Sequence, residues 1–263
     1  MRTFRFLVLL LAAGSLASCE EPFELDPRET EPRLVIEGTL TAAPAGSQVL
    51  ITRSGPLDPP AEGFDRIGDA AVTLQAASGQ AWSAAQPEPG RYTFPGLIPA
   101  EGETYTLKVS HEGAEYQASS ILLPPPRLDS LTYARTEANP MREAGYLVQV
   151  HFPPIAPGAR YRFELIANGV PVPEYFLYDG SQPGEAAGRF TFRSFAGQQG
   201  DSIRIRAIAV DPAVYAYFNQ LSALGSSLRP SASAPANPAS NFSGGALGYF
   251  AAQGISEYAG RIP

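Results

Sequence analysis

The chain has 263 residues, with 19 Lys and Arg against 26 Asp and Glu, and a formal net charge of −7. That balance argues against binding DNA or RNA, which needs a basic face. A single cysteine excludes a disulfide framework, and with two histidines it leaves too few nitrogen and sulfur ligands for a zinc site.

Residues 1–18 (MRTFRFLVLLLAAGSLAS) combine a basic start at Arg2 and Arg5, an apolar run from Phe6 to Ala13, and small residues. This is the pattern of a secretory signal peptide, too short for a transmembrane helix. Leu16-Ala17-Ser18-Cys19 resembles the bacterial lipobox, where the chain is cut before a cysteine whose sulfur carries a diacylglycerol. Acyl chains bind a bilayer at about 0.8 kcal/mol per buried methylene, so the processed chain is expected to be tethered rather than spanning. Processing removes two arginines and moves the charge from −7 to −9. Glu20 and Glu21, with Glu24 and Asp26 behind them, open an acidic tether over 19–32. They resemble the surface-export signal of some Gram-negative lipoproteins; an ordinary solvated linker is the other reading.

A strand series follows. RLVIEGTL (33–40), SQVLITRS (47–54), AAVTLQAA (70–77), QAWSAA (80–85), RYTF (91–94), ETYTLKVS (103–110) and EYQASSIL (115–122) are short, β-rich and divided by turn residues. In TYTLKV, Tyr105, Leu107 and Val109 alternate with Thr104, Thr106 and Lys108, the period of a half-buried strand. About seven strands over roughly 90 residues predict an immunoglobulin- or fibronectin-like sandwich over 33–123. LPPPR (123–127) cannot extend a central strand and marks a boundary.

From 128 to 263 a second series predicts a second β-sandwich. Its strands are DSLTYART (129–136), GYLVQVHF (145–152), RYRFELIA (160–167), GRFTFRSF (188–195) and DSIRIRAIAV (201–210). One short helix is expected near 212–224. Asp211 can cap it, Pro212 suits its first position, and Val214, Tyr217, Phe218 and Leu221 recur at helical spacing as a packed face. Residues 226–240 read as low-complexity and irregular. A late strand over 246–252 is expected to dock onto the second domain. The fold class is therefore all-β, two tandem sandwiches with one helix in the second.

Chemistry is sparse. His111, at a hairpin tip, and His151, opposite an apolar row, read as surface or partly packed residues. Gly200-Asp201-Ser202 is similar to the opening of one esterase class, but no histidine follows it to deprotonate the serine. Asp58, Glu62, Asp65 and Asp69 lie in one loop whose spacing departs from the EF-hand, so a solvated acidic loop is expected. No catalytic residues, no metal ligands and no cofactor are assigned, and the chain reads as non-enzymatic. Tyr175, Phe176 and Tyr178, in the long segment 168–188, are the candidate exposed binding patch; a hairpin packed on the core is the alternative.

EPRLVIEGTLT (31–41), GDAAVTL (68–74), GRYTF, GETYTLKV, DPAVYAYFNQL (211–221) and NFSGGALGYFAA (241–252) occur in this order behind the lipobox. The whole is similar to a bacterial lipoprotein family catalogued as domain of unknown function 4249. Members are often encoded beside TonB-dependent outer-membrane transporters. The resemblance implies a lipid-anchored outer-membrane protein, facing either the cell surface or the periplasm, held to the membrane by its anchor and accessory to such a transporter in nutrient uptake. It implies no catalytic residues. Two other functions stay open at this level: a carbohydrate-binding or carbohydrate-active surface protein using Trp82 and the tyrosines, and a structural adhesion lipoprotein.

Overall fold

The computed structural model describes residues 31–43, 46–55, 63–140, 142–154, 156, 158–181, 188–225 and 237–263. The first eight strands are β1 (Leu34–Leu40), β2 (Gln48–Arg53), β3 (Ala71–Ala76), β4 (Ala81–Ser83), β5 (Ala85–Glu88), β6 (Arg91–Thr93), β7 (Thr104–His111) and β8 (Ala114–Ile121). Their side chains alternate as the sequence pattern requires. Tyr105, Leu107 and Val109 of β7 are buried, and so are Leu34, Ile36 and Leu40 of β1. Two sheets result, one containing β1-β2-β6-β5 and the other β4-β3-β7-β8. Ile36, Val49 and Ile51 of the first meet Leu74, Leu107 and Val109 of the second in a common core.

The second sandwich is built from β9 (Ser130–Thr136), β10 (Gly145–His151), β11 (Arg160–Ala167), β12 (Val170–Pro171), β13 (Phe176–Asp179), β14 (Arg189–Thr191), β15 (Ser202–Ala209) and β17 (Gly254–Arg261). One sheet runs β14-β10-β9 and the other β12-β11-β15-β17, with β13 also paired to β11. Val148 and Val150 on one side face Phe163, Leu165, Ile203 and Ile205 on the other. The chain is thus two β-sandwiches in tandem, with a single helix, α1 (Pro212–Gly225), among the described residues. Strands β12, β13 and β17 lie where the sequence reading placed none.

The expectation for the late strand is overturned. β16 (Leu247–Ala252) does not dock onto the second sandwich. It pairs in parallel with β1, in register from Val35–Leu247 to Leu40–Ala252, at the edge of the first. The reason is the identity of its inward face. Ala246, Phe250 and Ala252 fill the core of the first sandwich, where Phe242 joins them. Asn241 clamps the segment by exchanging side-chain hydrogen bonds with the Phe250 backbone, at 2.9 Å as acceptor and 2.8 Å as donor. Alternation shows that a strand is half-buried but not which sheet will receive it.

After Ala252 the chain recrosses at once. Gln253 N–H donates to the Leu40 carbonyl at 2.7 Å, and Gly254 opens β17 of the second sandwich. The prolines of 124–126 lie against this crossing, so closely that a Cβ at Gly254 would collide with the Leu123 carbonyl and the backbone of Pro124 and Pro125. Gly248 is constrained twice. Its φ is +91°, and a Cβ there would strike the Ile36 carbonyl of the neighbouring strand.

α1 lies where the two sandwiches meet. Val214, Tyr217 and Phe218 bury against Ile208 and Val210 of the second unit and Ala251 of the first. Its cap joins them by hydrogen bonds. Asp211 accepts from Val214 N–H at 2.9 Å and from the Ser120 hydroxyl of β8 at 2.5 Å, and Ser120 Oγ accepts from Ala252 N–H at 3.0 Å. Asp211 and Ser120 are both buried.

Two outcomes follow for urea unfolding. Asp211→Ala removes a cap and strands a buried hydroxyl, so stability should fall by about 2–4 kcal/mol. Gly248→Ala should cost about 2–4 kcal/mol, through positive φ plus backbone collision, whereas Gly96→Ala, with φ +75° but open space, should cost about 1 kcal/mol.

Candidate functional site

The second sandwich has an aromatic interior. Phe176 meets Phe192 edge to face at 4.8 Å, Phe190 meets Phe192 at 5.1 Å, and Phe152 meets Tyr178 at 5.2 Å. Such pairs add about 0.5–1.5 kcal/mol each beyond their area and fix ring positions. Against this wall, the start of β13, the β14 segment and one face of α1 enclose a groove of about 520 Å³. The helix contributes Tyr215, Asn219 and Ser222, a face that flanks its buried stripe, with Tyr215 also packed against that stripe's cluster. The β14 segment contributes Arg189, Thr191 and Arg193, which alternate with the inward rings Phe190 and Phe192.

Several contacts hold this lining. Arg142 donates to the Arg193 carbonyl at 2.9 Å and to Thr136 Oγ1 at 2.7 Å. The Ser194 hydroxyl donates to the Glu174 carboxylate. Tyr175 rests on Phe218, with ring centroids 5.5 Å apart, and the Arg160 guanidinium sits 5.6 Å from the Tyr215 ring centre. Among the described residues, Arg189 and Arg193 make no ion pair, while Arg160 pairs with Asp179 at 3.5 Å and Arg206 with Glu164 at 2.7 Å. Two hydrogen bonds from Ser181, side-chain and backbone, hold the Asp179 carboxyl below the usual carboxylate range.

Only part of the sequence-predicted patch is at the surface. Tyr175 is 40 % exposed and lines the groove, but Phe176 is 5 % and Tyr178 0 % exposed. The last two alternate inward along β13, so they are core residues and the patch is corrected to Tyr175 alone. Arg189 and Arg193 were not singled out from sequence, although the alternation in RFTFR separates them from the phenylalanines. Trp82 is half-buried against the first core, its ring 6.4 Å from that of Tyr105. Leu16, Ala17, Ser18, Cys19, Glu20 and Glu21, with Asp58 and Glu62, lie outside the described residues.

The histidines are engaged elsewhere. His111 is buried rather than at the surface, with Nδ1 3.2 Å from Asp69 Oδ1, because the turn of its hairpin is Glu112-Gly113 and the histidine points inward. His151 Nε2 lies 2.7 Å from Thr132 Oγ1. Ser202 opens β15, its N–H donating to Asn168 Oδ1 at 2.9 Å. Among the described residues no group of three or more His, Cys, Asp or Glu is placed to hold a metal ion.

Beside the groove, the outward face of β1 and β16 meets α1. Glu37 and Tyr249 stand side by side in the parallel register, and Tyr249 touches Tyr217 and Phe218, with ring centroids 5.0 and 4.9 Å apart. Burial pushes the Glu37 carboxyl up from its ordinary value, and among the described residues it has no ion pair. Burial, then the charge of Glu37, pushes Tyr217 up to about 12. Burial also raises Tyr249, against the opposing pull of Arg162. A carboxyl raised in the folded state binds protons more tightly there than in the unfolded chain. Its stabilising contribution is therefore present below the unfolded value and is lost as pH rises through the folded one. Glu37→Gln should accordingly raise the Tm at pH 8 and change it little at pH 3.5, as read by thermal melts at both pH values.

No curated protein matches the chain. A two-domain fibronectin type III segment of chicken tenascin aligns at 17 % identity and a TM-score of 0.23, over 68 % of this chain and 90 % of that one. The chicken interferon gamma receptor alpha chain aligns at 8 % identity and a TM-score of 0.21, over 68 % and 88 %. The fold itself rests on the strand pairing above. A family model described as Domain of unknown function (DUF4249) matches residues 20–259, nearly the whole chain beyond the signal-like segment, and the protein belongs to that family.

Proposed function

We propose that the chain is a non-enzymatic binding protein, held at the outer membrane by a lipid on Cys19, that serves a TonB-dependent transporter by presenting its groove to a ligand. The observation that carries the binding reading is the groove itself. It has the size of a small-ligand site, and its rings and guanidinium groups stand on packed strands and a capped helix. Among the described residues its lining carries one carboxylate, Glu174, engaged by Ser194, and no histidine, which supports binding over hydrolytic chemistry. The anchor is supported by the lipobox and the acidic tether, and the transporter by the habit of the lipoprotein family that the sequence resembles.

Carbohydrate is the favoured ligand class within this reading. Tyr175 and Tyr215 offer ring faces, while Thr191, Asn219 and Ser222 offer neutral donors and acceptors in the same groove. Trp82 takes no part, being packed on the first core.

The test is recovery from native membranes. Tagged full-length chain, extracted in mild detergent, should carry an outer-membrane transporter that an unrelated tagged lipoprotein does not, and Cys19→Ser should leave the membrane fraction. A tagged chain that brings down no transporter, or a serine variant that still sediments with membranes, would count against the proposal.

A further inference from the structure

We infer that the groove selects a carboxylate-bearing oligosaccharide, with Arg189 and Arg193 reading the acid groups and Tyr175 and Tyr215 stacking on the sugar rings. This rests on the binding reading of the groove and adds the charge of its ligand.

Charge bookkeeping is the first reason. The protein is acidic, with a formal charge of −7, and most of its described arginines are already satisfied. Arg53, Arg66, Arg91, Arg127, Arg160, Arg162 and Arg206 each pair with a carboxylate. Arg33 and Arg142 donate to backbone carbonyls. Arg135, Arg204 and Arg261 also lack an ion pair among the described residues, but only Arg189 and Arg193 of these five line the groove, sharing one concave surface. Glu174, the one carboxylate of the lining among the described residues, is held by Ser194. The site is therefore locally cationic in an acidic protein, which draws an anion to it. A guanidinium fork matches a carboxylate with two parallel hydrogen bonds.

Ring placement is the second. Tyr175 is backed by Phe218, and Tyr215 by the Arg160 guanidinium. Rings fixed before binding lose little conformational freedom when a ligand stacks on them. Beside the apolar Phe176, Leu177 and Phe190, the lining carries the hydroxyl and amide groups of Thr191, Ser194, Asn219 and Ser222, which match the many hydroxyls of a sugar. At about 520 Å³ the groove is too large for a lone inorganic anion and suits a short oligosaccharide.

Calorimetry on the full-length chain in detergent tests this. The probes are tetragalacturonate, the neutral galacto-oligosaccharide of the same length, a tetra-aspartate peptide and inorganic phosphate. Tetragalacturonate should bind about tenfold or more tightly than each of the others, with affinity falling as salt rises. R189Q/R193Q should abolish that preference, and Y175A should weaken both sugars. R204Q, an exposed arginine on β15, should leave binding unchanged. Matching urea midpoints for the variants exclude a folding defect. Equal binding of neutral and acidic sugar, tighter binding of tetra-aspartate or phosphate, or no binding of tetragalacturonate by the unaltered chain would each overturn the inference. Its failure is separable from failure of the broader reading: recovery of a transporter by a chain that ignores acidic sugars sinks the ligand assignment alone.

Discussion

The return of one strand organises this molecule. β16 comes from beyond α1, late in the chain, yet it completes the sheet opened by β1 near the beginning. Without it the first sandwich would lose Phe250 and Ala252 from its core and leave β1 with an open edge. The strand is held by its parallel ladder and by the buried node of Ser120, Asp211 and Ala252. Each polar group in that node is satisfied only while β8, the helix cap and β16 are all in place. A buried hydroxyl or carboxylate left without its partner costs more than the bond itself contributes when made. The node therefore acts as a condition on assembly rather than an increment to it.

That arrangement makes the two sandwiches dependent on each other. The chain crosses between them at the triproline segment, again around α1, and once more at Gln253. Two sandwiches joined by a single linker would be free to move relative to each other. Here α1 is packed against strands of both, with Phe218 beneath the Arg162 guanidinium at 4.6 Å. The same helix that fills the junction with one face lends Tyr215, Asn219 and Ser222 to the groove with another. Groove geometry and domain packing are consequently one structural problem, and a loosened junction would move a groove wall.

Much of the local structure was legible in the residues. Alternation in TYTLKV and GYLVQVHF placed β7 and β10, and Asp211-Pro212 with the stripe at 214, 217, 218 and 221 placed α1. Legibility failed for β12 and β13, which are too short to establish a period, and for β17, where Gly254, Ser256 and Gly260 obscure the alternation. At the groove, Tyr175, Phe176 and Tyr178 looked equivalent as three aromatics in a turn-rich stretch. Only pairing of β13 with β11 separated the exposed ring from the two core rings, by fixing which way each residue points. Arg189 and Arg193 carried a readable signal in RFTFR, but their meaning depended on a helix wall that comes more than twenty residues later.

By itself, the sequence determined an acidic, single-cysteine, all-β chain with a lipobox-like start, two strand series divided by prolines, and a capped helix near 212. These are local properties: backbone preference, side-chain period and short motifs are read over a few residues at a time. The tertiary structure decided the partner of β16, the burial of His111, and the joining of β13, β14 and α1 around one groove. Those outcomes depend on surfaces that form only when distant segments compete for the same apolar neighbours, and no short window of residues carries that competition.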